Sequence, residues 1–256
     1  MSAMRTLVAA LRDPASVAAL DGEGWTALVS VARAEALLAT LAHRVEGQPV
    51  PPEVEPALAA ARRDAAQGQV AALWEAEMAR RALAPLGIEP ILLKGTAYAA
   101  AGLPNAAGRQ IGDLDILVPR DRLDEVEAAL LDAGWEWVKD DPYDHSYYRR
   151  WMHELPPLIH KSRDRMIDVH HTILPLTARV RPDAAALIAD AQALPLPRTF
   201  ASIHEPEDFP AIPPDPSVAP PVAGCRVLGR FDIVHHNVAH LMADGELDGG
   251  LRNLWD

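Results

Sequence analysis

Residues 91–118, ILLKGTAYAAAGLPNAAGRQIGDLDILV, restrict the fold more than any other part of the chain. A short apolar strand, Ile91 to Leu93, runs into Lys94-Gly95-Thr96 and a small Ala-rich helix, Ala97 to Gly102. A second strand, Asp113 to Val118, then carries two carboxylates spaced Asp-Leu-Asp. Side chains on a strand repeat every two residues, so Asp113 and Asp115 share one face while Leu114, Ile116 and Val118 take the other. Two like charges this close repel unless a cation lies between them or one is neutralised, and hard oxygen ligands suit magnesium together with substrate phosphates. The strand-to-helix turn in front leaves the first helical N–H groups free to hold an anion. In this order the features point to phosphate chemistry.

The Asp-x-Asp pattern also occurs in calcium loops, in glycosyltransferases and in surface turns, but here it lies in an apolar strand and not in a Gly/Asn-rich loop. A two-metal site needs a third carboxylate from another strand, and Ile167-Asp168-Val169 offers one. Burying Asp168 unpaired is costly, so it demands a metal, a base or a hydrogen-bond donor; a structural salt bridge is the alternative. Period two sets His170 on the face of Asp168 and His171 on the other, which makes His170 the better candidate for a supporting role beside the ligands. A satisfied structural histidine is the competing reading. Arg109, four residues before Asp113, is placed to pair with phosphates or with the carboxylates. Lys94 either neutralises phosphate charge or points to solvent. His235, His236 and His240 include an i, i+4 pair, but without the glutamate of an H-E-x-x-H motif they read as core or surface histidines.

Around this stretch the chain changes texture twice. From Met4 to Leu86 it is rich in Ala, Leu, Glu and Arg with helical periodicity, giving a helical region over 1–87. Within it one helix is expected over Trp25 to Glu46 and another over Glu53 to Leu86, with Gly68 weakening its middle. Residues 88–175 alternate short strands and helices and form the α/β or α+β core. Here a helix is expected after Pro119 and strands over Trp135 to Val138, Tyr147 to Glu154, Pro157 to His160 and around Ile167. Residues 176–256 hold a helix within Arg181 to Ala193, a loop or arm at 205–221 with seven prolines, and a last helix from Phe231 to Met242.

Composition narrows the partners. The 256 residues are 49% hydrophobic, enough for a substantial core, yet no stretch reaches the roughly 20 apolar residues that span a bilayer. The apolar run at the N-terminus is too short for a secretory signal, so a cytoplasmic globular protein without a membrane partner is expected. The single Cys225 excludes an internal disulfide or a cysteine-based zinc cluster and reads as a bystander thiol. A net charge of -12 opposes long nucleic acid as a partner and favours a small-molecule or protein substrate. Arg149, Arg150, Lys161, Arg163 and Arg165 form either a solvated hairpin surface or a local basic patch for a triphosphate or acceptor.

Taken together, LLKG at Leu92 to Gly95, Arg109, DLDILV at Asp113 to Val118, the helix ending in Gly134-Trp135, and IDVHH at Ile167 to His171 resemble the uncharacterised nucleotidyltransferase family within the DNA polymerase beta-like superfamily. The likeness covers nearly the whole chain. It implies an α+β fold: a small mixed β-sheet core with helices on one side, preceded by the N-terminal helical cap. It also implies transfer of a nucleoside monophosphate from a nucleoside triphosphate, such as ATP, to a hydroxyl of a small molecule or protein, with release of pyrophosphate. By position in that family, Gly95 and Thr96 stand at the phosphate turn, Asp113 and Asp115 would bridge two Mg2+ ions, and Asp168 would hold the catalytic ion and help deprotonate the acceptor. Two departures stand out: sixteen residues separate Thr96 from Asp113, and threonine replaces the more common serine. The alternative is a catalytically inactive nucleotide-binding or protein-interaction module, antitoxin-like by superfamily analogy alone.

Overall fold

The computed structural model describes residues 2–194, 222, 224–243 and 251–255. The proline-rich segment 205–221 lies outside them. Three N-terminal helices, α1 (Ala3–Arg12), α2 (Gly22–Ala34) and α3 (Leu38–Arg44), enclose Leu7, Leu11, Trp25, Leu28, Leu37 and Leu41 in a cluster of their own. The helix expected over Trp25 to Glu46 is therefore two. Ala36 takes a left-handed φ of 53°, its N–H reaches Arg33 O (3.1 Å), and the Leu37 N–H reaches Ala32 O (2.7 Å). That double bond pattern stops a helix, and it turns the fully buried Leu37 into the core. Glycine usually marks such a stop; alanine here gave no signal.

The long helix α4 (Glu55–Leu83) runs unbroken through Gly68. Its first half meets the N-terminal cluster at Leu58, and its second half lays Leu73, Ala76, Ala79 and Leu83 on the sheet. Among the described residues the sheet has seven strands: β1 (Ile91–Leu92), β2 (Leu114–Leu117), β3 (Trp135–Trp137), β4 (Leu158–His160), β5 (Met166–His170), β6 (Gln192–Ala193) and β7 (Arg226–Val227). Their spatial order is β3-β4-β5-β2-β1-β7-β6. The sheet is mixed: β2 runs parallel to β5 and antiparallel to β1, while β1 runs parallel to β7. An α+β core of this kind matches the expected fold class.

Alternation along the strands divides the two faces. Leu92, Leu114, Ile116, Ile167 and Val169 pack with α4 and with α6 (Leu123–Asp132), which contributes Leu123, Val126 and Leu130. On the other face Ile91, Leu93 and Leu117 pack with Leu187 of α8 (Ala184–Asp190) and with Leu228, while the neighbouring positions on that face are polar. Helix α9 (Arg230–Ala243) follows β7 and links to α5 (Lys94–Ala100) through a Tyr98 hydroxyl bond to Asn237 Oδ1. Among the described residues no helix is long and apolar enough to cross a membrane. Cys225 is buried, and burial pushes its thiol up to about 12, so it has little nucleophilic character.

Two readings of the middle of the chain are corrected. Tyr147 to Glu154 is not a strand: α7 covers Pro142–Trp151, with Pro142 in its first turn and the Asp141 carboxylate accepting the Tyr143 N–H at 2.8 Å. The Asp-Pro start signal outweighs the aromatic run that suggested β structure. For the basic cluster, read as a solvated hairpin surface or a patch, the patch alternative does not hold for three of its arginines. Arg149 pairs with Asp124 (2.7 Å) and with Glu127, Arg163 pairs with Glu75, and the Arg165 guanidinium donates to Ile111 O (3.3 Å).

The Arg163 pair is the strongest of these contacts. Both Glu75 oxygens accept from the guanidinium, at 2.6 and 3.0 Å, with the side chains 5% and 15% exposed, and the guanidinium also lies 4.8 Å from the Trp135 ring centre. Replacing one partner strands a charge away from water. Glu75→Ala is expected to cost about 3 kcal/mol, read as a lower urea midpoint with an unchanged m-value. A midpoint equal to that of the parent would show that the pair adds nothing to stability.

Candidate active site

The site is built by strand register. On parallel strands β2 and β5, Asp115 is the direct Cα partner of Asp168, with Leu114 opposite Ile167 and Ile116 opposite Val169. Neighbouring strands lie about 4.8 Å apart, so side chains in register on one face must meet. One carboxylate oxygen from each of Asp113, Asp115 and Asp168 lies within 4.8 Å of the other two. Burial grades across the trio: Asp115 is buried, Asp168 half-buried and Asp113 exposed.

This grading gives the three acids different electrostatics. Burial alone would raise the Asp115 carboxyl, but a hydrogen bond with His170 and the charge of Lys94 outweigh it and hold Asp115 well below the usual carboxylate range. Asp168 has less such help, from the charge of His170 alone. Burial, and then the charges of Asp115 and Glu154, push it up to about 7. Three carboxylates, one of them driven toward its neutral form by burial and by its acidic neighbours, form a hard oxygen set that a divalent cation would relieve.

Lys94 is turned toward the acids. It has a left-handed φ of 46° at the start of α5, and its Nζ lies 2.6 Å from Asp115 Oδ1. Burial works against the ammonium, but Asp115 more than compensates and leaves Lys94 raised. Gly95 and Thr96 follow in the first turn of α5, both buried. A Cβ on Gly95 would sit 2.7 Å from Arg109 Nε and 3.1 Å from Ile111 Cγ1, so only glycine admits the arginine this close. The Thr96 hydroxyl is buried and has no hydrogen-bond partner among the described residues. Arg109 arrives on the loop between α5 and β2, with its guanidinium 5.3 Å from the Tyr98 ring centre.

His170, at the end of β5, is 1% exposed and places Nε2 3.0 Å from Asp115 Oδ1. His171 points to the opposite face and is buried there; burial lowers it to about 4. All eight residues singled out in the sequence thus lie on β1–α5, the following loop, β2 and β5, around the polar half of one sheet face. Three more side chains reach it: His153 and Glu154, which the sequence did not single out, and His236, which was read as a core or surface histidine. Glu154 forms an isolated antiparallel bridge with His170, His153 stacks obliquely on the His170 ring at 5.1 Å, and buried His236 of α9 has His170, Lys94 and Asp115 among its nearest charges. The one sequence signal for the first two is the adjacent pair His153-Glu154 shortly before IDVHH. For His236 it is the helical spacing that turns it inward from α9.

A mixed sheet that gathers three carboxylates on one face, beside a small-residue turn and two cationic side chains, is suited to transfer of a phosphate-linked group. The chain belongs to the family described as uncharacterised nucleotidyltransferase, whose model matches residues 21–256. A general role in nucleotidyl transfer follows from that membership. No curated protein and no solved structure matches the chain.

Proposed function

We propose that this chain moves a nucleoside monophosphate from a nucleoside triphosphate to a hydroxyl of a small molecule or protein, with divalent metal, in the manner of the DNA polymerase beta-like superfamily. The observation that carries the reading is the in-register placement of Asp115 beside Asp168, with Asp113 completing the trio. Residues 88–175 hold the chemistry in this reading, with 1–87 as a helical cap and 176–256 as the C-terminal part. Asp113, Asp115 and Asp168 would hold two Mg2+ ions, which when bound neutralise charge on the triphosphate and on the attacking oxygen. Gly95 and Thr96 receive the phosphates, with the unpartnered Thr96 hydroxyl as donor and Arg109 above them as a cation. Lys94 keeps Asp115 charged and aimed, and His170 holds the same oxygen from the other side. The acceptor oxygen bonds to the α-phosphorus as the bond to the β-phosphate bridge breaks, the hydroxyl proton passes to the Asp168 carboxylate, and pyrophosphate leaves.

The test incubates the protein and Mg2+ with α-labelled and γ-labelled ATP in parallel, in cell extract, and then with the other triphosphates. The α-label is expected on an acceptor. Transfer of γ-label alone, or of no label from any nucleotide, would sink the proposal.

One observation favours a binding module without turnover: the Lys94 ammonium already neutralises Asp115 at 2.6 Å. Calorimetry with a non-hydrolysable ATP separates the two readings. Affinity that ignores Mg2+ supports the module; affinity that needs Mg2+ supports the transferase.

A further inference from the structure

His170 makes two different approaches with its two ring nitrogens. Nε2 lies 3.0 Å from Asp115 Oδ1, an oxygen held charged by Lys94, and a neutral His170 that donates there from Nε2 turns its Nδ1 lone pair the other way. Nδ1 is the nitrogen left for another partner. It is buried, has no hydrogen-bond partner among the described residues, and lies 3.4 Å from Glu154 Oε2. That approach to a carboxylate is favourable with a proton on Nδ1 or with a cation between the two groups.

A third donor completes the set. His153 Nε2 lies 3.7 Å from Glu154 Oε2, and one ligand atom from each of His153, Glu154 and His170 lies within 4.8 Å of the others. An ion holding nitrogen and oxygen at ~2.0–2.1 Å in tetrahedral geometry places its ligand atoms roughly 3.3 Å apart. The two separations from Glu154, 3.4 and 3.7 Å, need a movement of only a few tenths of an ångström, and the two imidazoles, within 4.8 Å, close by a turn of the part-exposed His153 ring. Backbone bonds fix the two segments against each other: the Leu155 N–H reaches Val169 O (2.9 Å) and the His171 N–H reaches His153 O (2.8 Å). The His153 and Glu154 side chains remain 17% and 18% exposed, so solvent has access from their side.

We propose that His153, Glu154 and His170 form a second metal site, separate from the three aspartates, that takes a borderline divalent cation of the zinc type and leaves its fourth position open to water or a substrate oxygen. Two imidazoles and one carboxylate select zinc over magnesium, which prefers oxygen alone. The Asp115–His170 contact is then the carboxylate–histidine pair that orients a ligating imidazole. Loading the site fixes the His170 tautomer and with it the Asp115 oxygen that both Lys94 and His170 hold.

The test uses the full chain without a purification tag, stripped with chelator and kept in millimolar Mg2+. Zinc titration by calorimetry is expected to give one bound ion per chain, and Co2+ in its place to give the visible absorption of a four-coordinate site. His153→Ala and the isosteric Glu154→Gln are each expected to weaken zinc at least 10-fold, while Asp168→Asn keeps it. A Mg2+-saturated parent that takes no zinc overturns the proposal even if a variant fails to fold. So does zinc binding that survives in both His153→Ala and Glu154→Gln, or that is lost in Asp168→Asn alone. These readouts require no turnover, so the site stands or falls separately from the transferase reading.

Discussion

The Asp168→Asn variant is expected to lose α-phosphate transfer by at least about 10³-fold and yet to be more stable than the parent when both are metal-free at pH 8. The two effects share one cause. In the folded chain burial, and then the charges of Asp115 and Glu154, push Asp168 up to about 7, whereas an aspartate in an unfolded chain titrates near ~3.9. The folded state therefore keeps a proton that the unfolded state has already released. Stability from this group is complete below about pH 4, declines as pH rises toward 7, and above 7 the fold carries a charged, half-buried carboxylate. The ceiling is ~4 kcal/mol at about 1.4 kcal/mol per pH unit, and partial solvent access reduces it to about 1–2. For a chain of this size that is a melting temperature a few degrees higher for the variant at pH 8, and no difference near pH 4. Mg2+ is expected to raise the melting temperature of the parent at pH 8 and to do much less for the variant. Unchanged transfer in Asp168→Asn would remove Asp168 from the reaction. A variant less stable than the metal-free parent at pH 8 would show that the carboxylate is satisfied by something other than a cation.

Much of this site is written in local pattern. The alternation in DLDIL and IDVHH tells which side chains share a face, because a strand leaves only two choices. What the pattern omits is which strands become neighbours. The pairing of Asp115 with Asp168 depends on β5 lying beside β2, and so on the order of the whole sheet. Lys94 was legible as a cation beside a glycine turn, but its direction depends on a left-handed backbone that lysine rarely adopts. The basic residues from Arg149 to Arg165 left a solvated hairpin surface and a patch both open, because sequence shows proximity along the chain only. Their partners Asp124, Glu127 and Glu75 lie on α6 and α4. His153 and Glu154 were hidden by the reading of their segment as one strand, which helix α7 replaces until Trp151.

The second large effect is expected at Gly108, which no sequence motif marks. Its φ is +72°, and a Cβ built there would lie 2.5 Å from the carbonyl carbon and oxygen of Ala39 and from the nitrogen of Thr40. These are backbone atoms at the start of α3, held in turn by the Thr40 hydroxyl, which donates to Gly108 O at 3.3 Å and accepts from Arg252 Nη1 at 2.6 Å. Alanine must therefore pay for the left-handed conformation and also push the loop off the helical region, together roughly 2–4 kcal/mol, or a melting temperature lower by about 5–12 °C. Function should follow the loop, because the next residue is Arg109, which reaches back over Gly95 and Tyr98. Displacing it is expected to raise KM for the triphosphate more than it lowers kcat. Gly95→Ala separates the two consequences. Its Cβ meets chiefly the movable Arg109 side chain, so it should weaken nucleotide binding with a much smaller loss of stability. If Gly108→Ala melts with the parent, the loop is not seated on α3. If it melts early but binds nucleotide as the parent does, Arg109 takes no part in holding the phosphates.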